Sequence, residues 1–366
     1  MTVATGFRPG VFTTNSLMAT ELMELTDLGL YCPPGDFYID PWRPVPRAII
    51  THAHSDHARG GSSHYLCSRV GQKVLRHRIG DYPIDSLDWG ETVVHNGVAV
   101  SLHPAGHVLG SAQVRMEYEG RVAVCSGDYK TEPDSTCKAF EPIRCHTFLT
   151  ESTFGLPIYR WETSEEIFDQ IDRWWKDNRE KGLVSMLYGY SLGKAQRMIA
   201  GVDAGIGPIY THGAVEALNR VYRDSGVELP PTLSAGRMPR GTDFAGSLVV
   251  APPSAAGSPW SRKFGPSSSG VASGWMRVRG VRRRRAVDRG FILSDHADWP
   301  GLQGAIAATG AEKVLVTHGY TAILSRWLNE RGIESQVLQT RFEGEIDDPA
   351  VEASGDDPGE VQGPTA

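Results

Sequence analysis

This sequence predicts an α/β fold in two parts, on three observations. From Leu28 to about Arg160, short apolar runs alternate with Gly, Pro and Asp turns, the pattern of a sandwich built from short strands. At Ser164 the apolar period changes to that of an amphipathic helix, and strand-like and helix-like segments alternate beyond it. A length of 366 residues, with 40% hydrophobic and 22% charged residues, allows a globular chain with two sizeable cores.

Taken in order, residues 1–24 are a weakly patterned lead-in, polar and Gly-broken at its start, with no apolar core of a secretory leader. Strands are predicted at Arg47–Ile50, Gly97–His103, Ser111–Tyr118 and Arg121–Cys125. A helix is predicted over Ser164–Glu180. Ser164 is its N-cap, Glu165 and Glu166 suit the first turn, and Ile167, Phe168, Ile171, Trp174 and Trp175 form an apolar face. Leu183–Tyr188 then reads as strand, Gly193–Gly201 as helix, and Gly207–Tyr210 and Ser247–Ala251 as strands. Residues 254–274, rich in Ser, Gly and Pro, are expected to be loop. Strand pattern returns at Gly290–Ser294 and Glu312–Thr317, and the acidic, Pro- and Gly-rich stretch Glu343–Ala366 is expected to be disordered.

Composition excludes some classes. No apolar run approaches the roughly 20 residues that span a bilayer, so no membrane association is expected. The five cysteines, Cys32, Cys67, Cys125, Cys137 and Cys145, are odd in number and contain no C-x-x-C pair. They suit reduced thiols in a cytoplasmic protein. A net charge of −6 is not that of a basic nucleic-acid binder, but the acidic tail and any metal-binding carboxylates contribute to it, so it decides nothing.

The chemistry concentrates in Thr51-His52-Ala53-His54-Ser55-Asp56-His57, an H-x-H-x-D-H run directly after the apolar Ala48-Ile49-Ile50. Three imidazoles and a carboxylate at a strand end can face adjacent metal ions, since imidazole suits zinc and Asp can serve a second ion. Further ligands stand in similar settings: His107 in Ala105-Gly106-His107, Asp128 after Arg121–Cys125, and His318 after Lys313–Val316. Spacing by itself says only that these groups could meet.

That order of residues resembles the metallo-β-lactamase superfamily, and the long gap from Asp128 to His318 resembles its β-CASP nuclease branch, in which a second domain is inserted. The branch's additional marks are matched by Glu151, by Ser294-Asp295-His296 and by the terminal His318. Gly35–Trp42, Val249–Ser254, Arg282–Asp288 and Ser294–Trp299 further resemble the bacterial DNA ligase-associated exonuclease group, also labelled mRNA 3′-end processing factor-like. The resemblance covers roughly residues 25–345. It implies a metallo-β-lactamase αββα sandwich with an inserted β-CASP α/β domain. The implied divisions are a sandwich at 25–160, an insertion at 161–275, a return at 276–345 and a tail at 346–366.

The resemblance also implies roles. His52, His54 and His107 would hold one ion, Asp56, His57 and His318 a second, with Asp128 bridging; two zinc ions are implied, with manganese as the alternative. Asp40 would tie down the histidine loop without ligating. His296, oriented by Glu151, would protonate the leaving 3′-oxygen, so Asp56, Asp128, His296 and Glu151 are the catalytic set. The implied activity is hydrolysis of DNA phosphodiesters, exonucleolytic, in repair alongside an ATP-dependent DNA ligase and a helicase. The alternatives are an RNA-processing ribonuclease of the same fold and, less favoured, a small-substrate metallohydrolase. Some members lack the terminal His; its presence here keeps the RNA alternative open.

Weaker candidates remain. Gly189–Gln196 is no P-loop, because Ala195 follows Lys194, but Ser191 and Lys194 at a helix start are candidate phosphate contacts. Arg277, Arg279, Arg282 and Arg284 belong to the strongest basic cluster and are candidate nucleic-acid contacts. His212, in a second Thr-His-Gly, competes with His318 and is expected to be structural or substrate-facing. His64, His77, His95, His103 and His146 have no supporting pattern.

Overall fold

The structure, a computed structural model, describes residues 21–278 and 287–340. Six short strands, β1 (Glu24–Thr26), β2 (Gly29–Cys32), β3 (Phe37–Ile39), β4 (Ala48–Ile49), β5 (Tyr65–Ser68) and β6 (Ile84–Leu87), form a sheet in sequence order. A second sheet takes β7 (Thr92–His95), β8 (Val98–Pro104), β9 (Ala112–Tyr118), β10 (Arg121–Cys125) and β11 (Thr147–Glu151). A third sheet then intervenes: β12 (Val184–Tyr188), β13 (Ile209–Thr211), β14 (Leu233–Ser234), β15 (Leu248–Ala251), β16 (Ser267–Ala272) and β17 (Arg289–Phe291), in the order β14-β13-β15-β12-β16-β17. β18 (Lys313–Thr317) and β19 (Glu334–Val337) finally complete the second sheet beside β11.

The first two sheets are mixed and face each other. Leu30, Ile39 and Ile49 of one meet Val100, Val114, Cys125, Leu149 and Leu315 of the other in one buried core. Helix Gln72–Ile79 covers the outer face of the first sheet through Leu75, against Ala48, Ile50 and Tyr65. Helices Trp299–Thr309 and Thr321–Asn329 cover the second through Leu302, Ile306, Leu324 and Leu328, against Val124, Phe148, Val314 and Val316. Alternation along β10, β11 and β18 thus feeds two different cores, Ala123, Cys125, Leu149 and Leu315 facing one and Val124, Phe148, Val314 and Val316 the other. The result is an α/β sandwich of mixed sheets.

The third sheet is wholly parallel among its described pairs. Parallel strands need crossovers and are covered on both faces, so β12 and β15 are buried at every position and apolar throughout except for Ser185. Helix Ser164–Glu180 packs its predicted face here, with Trp175 fully buried and its Nε1 donating to Gly246 O at 3.0 Å.

Two expectations are corrected. The helix over Ser164–Glu180 is capped by Thr163, not Ser164. Thr163 Oγ1 accepts from Glu166 N at 3.3 Å while the Glu166 carboxylate accepts from Thr163 N at 3.0 Å. Ser164 Oγ instead accepts from Arg197 Nη2 at 2.9 Å. Residues 254–274, expected to be loop, contain β16, which lies between β12 and β17. The small residues serve packing: a Cβ at Gly270 would stand 2.9 Å from Phe291 Cε2 and 3.3 Å from Trp174 Cη2. Strand ends elsewhere move by one to three residues. Leu22 and Met23, in the lead-in, are buried against the sandwich core.

Candidate metal centre

Strand β4 stops at Ile49, and the loop after it carries the H-x-H-x-D-H run to the edge shared by β10, β11 and β18. The anchor is Asp40, just past β3, in a left-handed conformation (φ 45°) that Asp tolerates. Its Oδ1 accepts from Thr51 N at 2.8 Å and its Oδ2 from Thr51 Oγ1 at 2.5 Å and His57 Nδ1 at 2.7 Å. One buried carboxylate therefore fixes both ends of the histidine loop. His318, also left-handed (φ 57°), follows β18; the next residue must be small, because a Cβ on Gly319 would lie 2.5 Å from Ser152 O.

Three groups of side chains converge. His52, His54, His107 and Asp128 bring one ligand atom each to within 4.8 Å of one another; so do Asp56, His57 and His318, and so do Asp128, Glu151 and His296. In the first, His54 Nδ1 lies 3.1 Å from both His52 Nε2 and His107 Nε2. Asp128 joins the groups: Oδ1 is 3.0 Å from His318 Nδ1, and Oδ2 is 3.5 Å from His57 Nε2 and 3.6 Å from His52 Nε2. Glu151 meets His296 Nδ1 at 2.8 and 3.0 Å and accepts from Tyr129 N at 2.9 Å.

The donor set fits a bound cation. Around a tetrahedral zinc with ligands about 2.0–2.1 Å away, donor atoms stand roughly 3.4 Å apart, close to the separations seen here. Burial also drives the His52 and His107 imidazoles well below their ordinary pKa and lowers that of His54. Neutral imidazole is the ligating form. For His57 burial acts the same way, but Asp56 and Asp128 outweigh it and push the ring well above its ordinary value. Asp128 resists its own burial and is held well below the carboxylate range by His57 and His318.

Other predicted residues fall differently. Lys194 is completely buried, its Nζ donating to Leu293 O at 2.9 Å beside Asp295 Oδ2 at 3.0 Å. The phosphate contact expected of it is corrected, because a buried ammonium needs this partner. Ser191 is half-buried and Arg277 exposed, while Arg279, Arg282 and Arg284 lie outside the described residues. His212 caps helix Gly213–Asp224 by accepting from Ala214 N at 3.2 Å and packs against Trp260, away from the cluster. His64, His77, His95, His103 and His146 join none of the three groups. Sequence reasoning missed Arg197 and Lys130, which are buried with Asp295 behind the site, and the half-buried Asp134 that pairs with both. Lys130 and Asp134 pair four residues apart, but the partners of Arg197 are remote in sequence, so no local signal marks it.

Fold and site together define an α/β sandwich protein with a buried His/Asp centre of the kind that holds metal. No family model matches the chain. It is 30% identical over 316 residues to a probable DNA ligase from Opitutus terrae, a match covering 85% of the chain and 30% of that protein. It is 26% identical over 145 residues to endoribonuclease YSH1 of Saccharomyces cerevisiae, covering 30% of the chain and 19% of that protein. It is 26% identical over 126 residues to human DNA cross-link repair 1A protein, covering 32% of the chain and 12% of that protein. Among solved structures, a protein of unknown function from Enterococcus faecalis aligns with TM-score 0.56 and 13% identity over 81% of this chain and 80% of that one. These relatives fit the metallo-β-lactamase superfamily and its β-CASP branch, which the sequence resembles. The chain spans less than a third of the length of each of these three relatives.

Proposed function

We propose that this protein is a metal-dependent nuclease that hydrolyses DNA phosphodiesters, working exonucleolytically in end processing. The convergence of seven candidate ligands on two adjacent buried groups carries this reading. His52, His54 and His107 hold one divalent ion, Asp56, His57 and His318 the other, and Asp128 faces both; zinc suits the donors, with manganese as the alternative. Such ions supply Lewis acidity toward a phosphodiester and lower the pKa of water. With Nδ1 of His296 committed to Glu151, protonation of the leaving 3′-oxygen falls to Nε2. Asp40 holds His57 and Thr51 in place. The architecture behind this is an αββα sandwich (25–160 and 276–345) carrying an inserted β-CASP domain (161–275), with β17 added to the inserted sheet by the returning chain.

DNA is favoured because the relative matched over most of this chain is named a probable DNA ligase. From that association we infer a ligase, and with it a helicase, as working partners in the cytoplasm. Among the described residues no helix is long and apolar enough to cross a membrane. Nucleic acid is engaged by Ser191 and Arg277, and by Arg279, Arg282 and Arg284. RNA is the second reading, favoured by the match to an endoribonuclease.

The test is cleavage of matched end-labelled single-stranded DNA and RNA with added zinc or manganese, with His52→Ala and Asp128→Ala alongside. DNA cut and RNA spared, with both variants inactive, is the expected outcome. Preferential RNA cleavage would move the substrate to the second reading. Cleavage surviving in both variants would sink the metal assignment.

A further inference from the structure

Two of the three histidines in the first group are held by the third-sheet body or by the segment that leaves it. His54 Nε2 lies 3.2 Å from the carbonyl of Leu192, and His107 Nδ1 2.7 Å from the carbonyl of Asp295. Leu192 precedes helix Lys194–Gly201, which packs in the core of the third sheet through Ala195, Met198 and Ile199. Asp295 follows the segment Phe291–Leu293, which is buried in the same core.

That helix also grips the second carbonyl's segment. Lys194 Nζ donates to Leu293 O at 2.9 Å, and Arg197 Nη1 donates to Ser294 O at 2.5 Å and to Asp295 Oδ1 at 3.0 Å. Asp295 Oδ2 stands 3.0 Å from Lys194. Arg197 is backed by Asp134, with Nε 3.6 Å from Oδ2, and Lys130 pairs with the same carboxylate. The five charged side chains are all at most 8% exposed. Close packing sets the helix's position: a Cβ on Gly193 would be 2.2 Å from Val108 Cγ1, in the loop bearing His107. A buried charge cluster is weak evidence for stability, because desolvation offsets the attraction. Its product here is geometric, since three consecutive residues ending at the His107 acceptor are held, Leu293 by Lys194, Ser294 by Arg197 and Asp295 by both.

We infer that Arg197 and Lys194 are positioning residues that orient His107 toward the first metal ion through the Asp295 carbonyl, while the Leu192 carbonyl at the start of the same helix orients His54, so that this ion binds fully only when the third-sheet body is docked. The inference rests on the metal assignment proposed above. A carbonyl on the non-ligating ring nitrogen fixes both tautomer and ring direction, and losing such a partner costs about 10–100-fold in metal affinity.

The experiment is calorimetric titration of the full-length, chelator-stripped protein with zinc, with bound metal measured after dialysis, for wild type, Arg197→Met, Lys194→Met and Arg197→Lys. Wild type takes two equivalents. Arg197→Met and Lys194→Met weaken one equivalent about 10–100-fold and leave the other unchanged. Arg197→Lys keeps the charge but cannot bridge Ser294 O and Asp295 together, so it shows the same loss at smaller amplitude, and it carries the test should the Met variants fail to fold. A merely structural role would lower thermal stability without splitting the two equivalents. Two equivalents at wild-type affinity in folded Arg197→Lys, or both weakened together, overturn the inference. A wild type that takes up no zinc overturns the metal assignment instead.

Discussion

The two halves of the candidate centre are built from the same ligand types but held in opposite ways. The half around His57 and His318 is fixed from within the sandwich, by Asp40 on His57 Nδ1 and Asp128 on His318 Nδ1. The half around His52, His54 and His107 leans on the carbonyls of Leu192 and Asp295. The first arrangement uses carboxylates, and Asp56 and Asp128 push the His57 imidazole well above its ordinary value. In the second, no carboxylate sits on the held ring nitrogens, and burial lowers the three imidazoles and leaves them neutral. A single sandwich thus presents one half that is complete on its own and one that needs the third sheet.

Asp128 is where this contrast breaks most severely, because its two oxygens face both halves. Asp128→Ala is expected to abolish uptake of both metal equivalents and all cleavage above background. Retention of either equivalent would show that the halves are independent. Asp40→Ala should act on one half only. Losing the bond to His57 Nδ1 should weaken the second equivalent about 10–100-fold and spare the first, the mirror image of Arg197→Met. Equal loss of both would erase the distinction.

Proton competition sharpens it further. His57 is pushed up, against its burial, by Asp56 and Asp128, so in the metal-free protein it keeps its proton above the ordinary imidazole pKa of about 6.5. A cation in that half must displace the proton, so its occupancy rises as pH rises. His52, His54 and His107 are pushed down by burial and are already neutral there. Zinc titrations near pH 6 and pH 8 should therefore show the second-half equivalent weakening at the lower pH while the first changes little; parallel behaviour would contradict this. Stability of the metal-free chain follows the same signs. The contribution of His57 is present below about pH 6.5 and is lost as pH rises through its raised folded value. The three lowered imidazoles cost stability as pH falls below about 6.5.

The smallest expected effect is a control outside both halves. His212→Ala removes a helix cap on Ala214 N and should cost about 1 kcal/mol in denaturant unfolding. Metal uptake and cleavage should not change, and a change in either would return His212 to the site.

Much of the centre was legible because its ligands sit in short runs at strand ends: His52 to His57, His107, Asp128 and His318 each follow or adjoin an apolar segment. The legible helix over Ser164–Glu180 has the same origin, a strong apolar period, though its cap lay one residue earlier because Thr163 and Glu166 satisfy each other. β16 was illegible because its Ser and Gly residues imitate a loop, and their smallness matters only once Phe291 and Trp174 are packed against Gly270. Lys194 was misjudged for a related reason. A lysine at a helix start suggests a phosphate contact until Asp295, 101 positions away in the chain, is found beside it.

The sequence by itself determined the ligand inventory, the order in which the strands deliver it and the apolar periods that build the sheets, because these depend on neighbours a few residues apart. Only the tertiary structure decided which carbonyls face His54 and His107, which cations are buried rather than offered to a ligand, and how His57 acquires a proton affinity opposite to that of His52, His54 and His107. Those properties arise from groups brought together across the sandwich and the third sheet, where burial and the sign of the nearest charge, not local sequence, set the energy of each proton and each ligand.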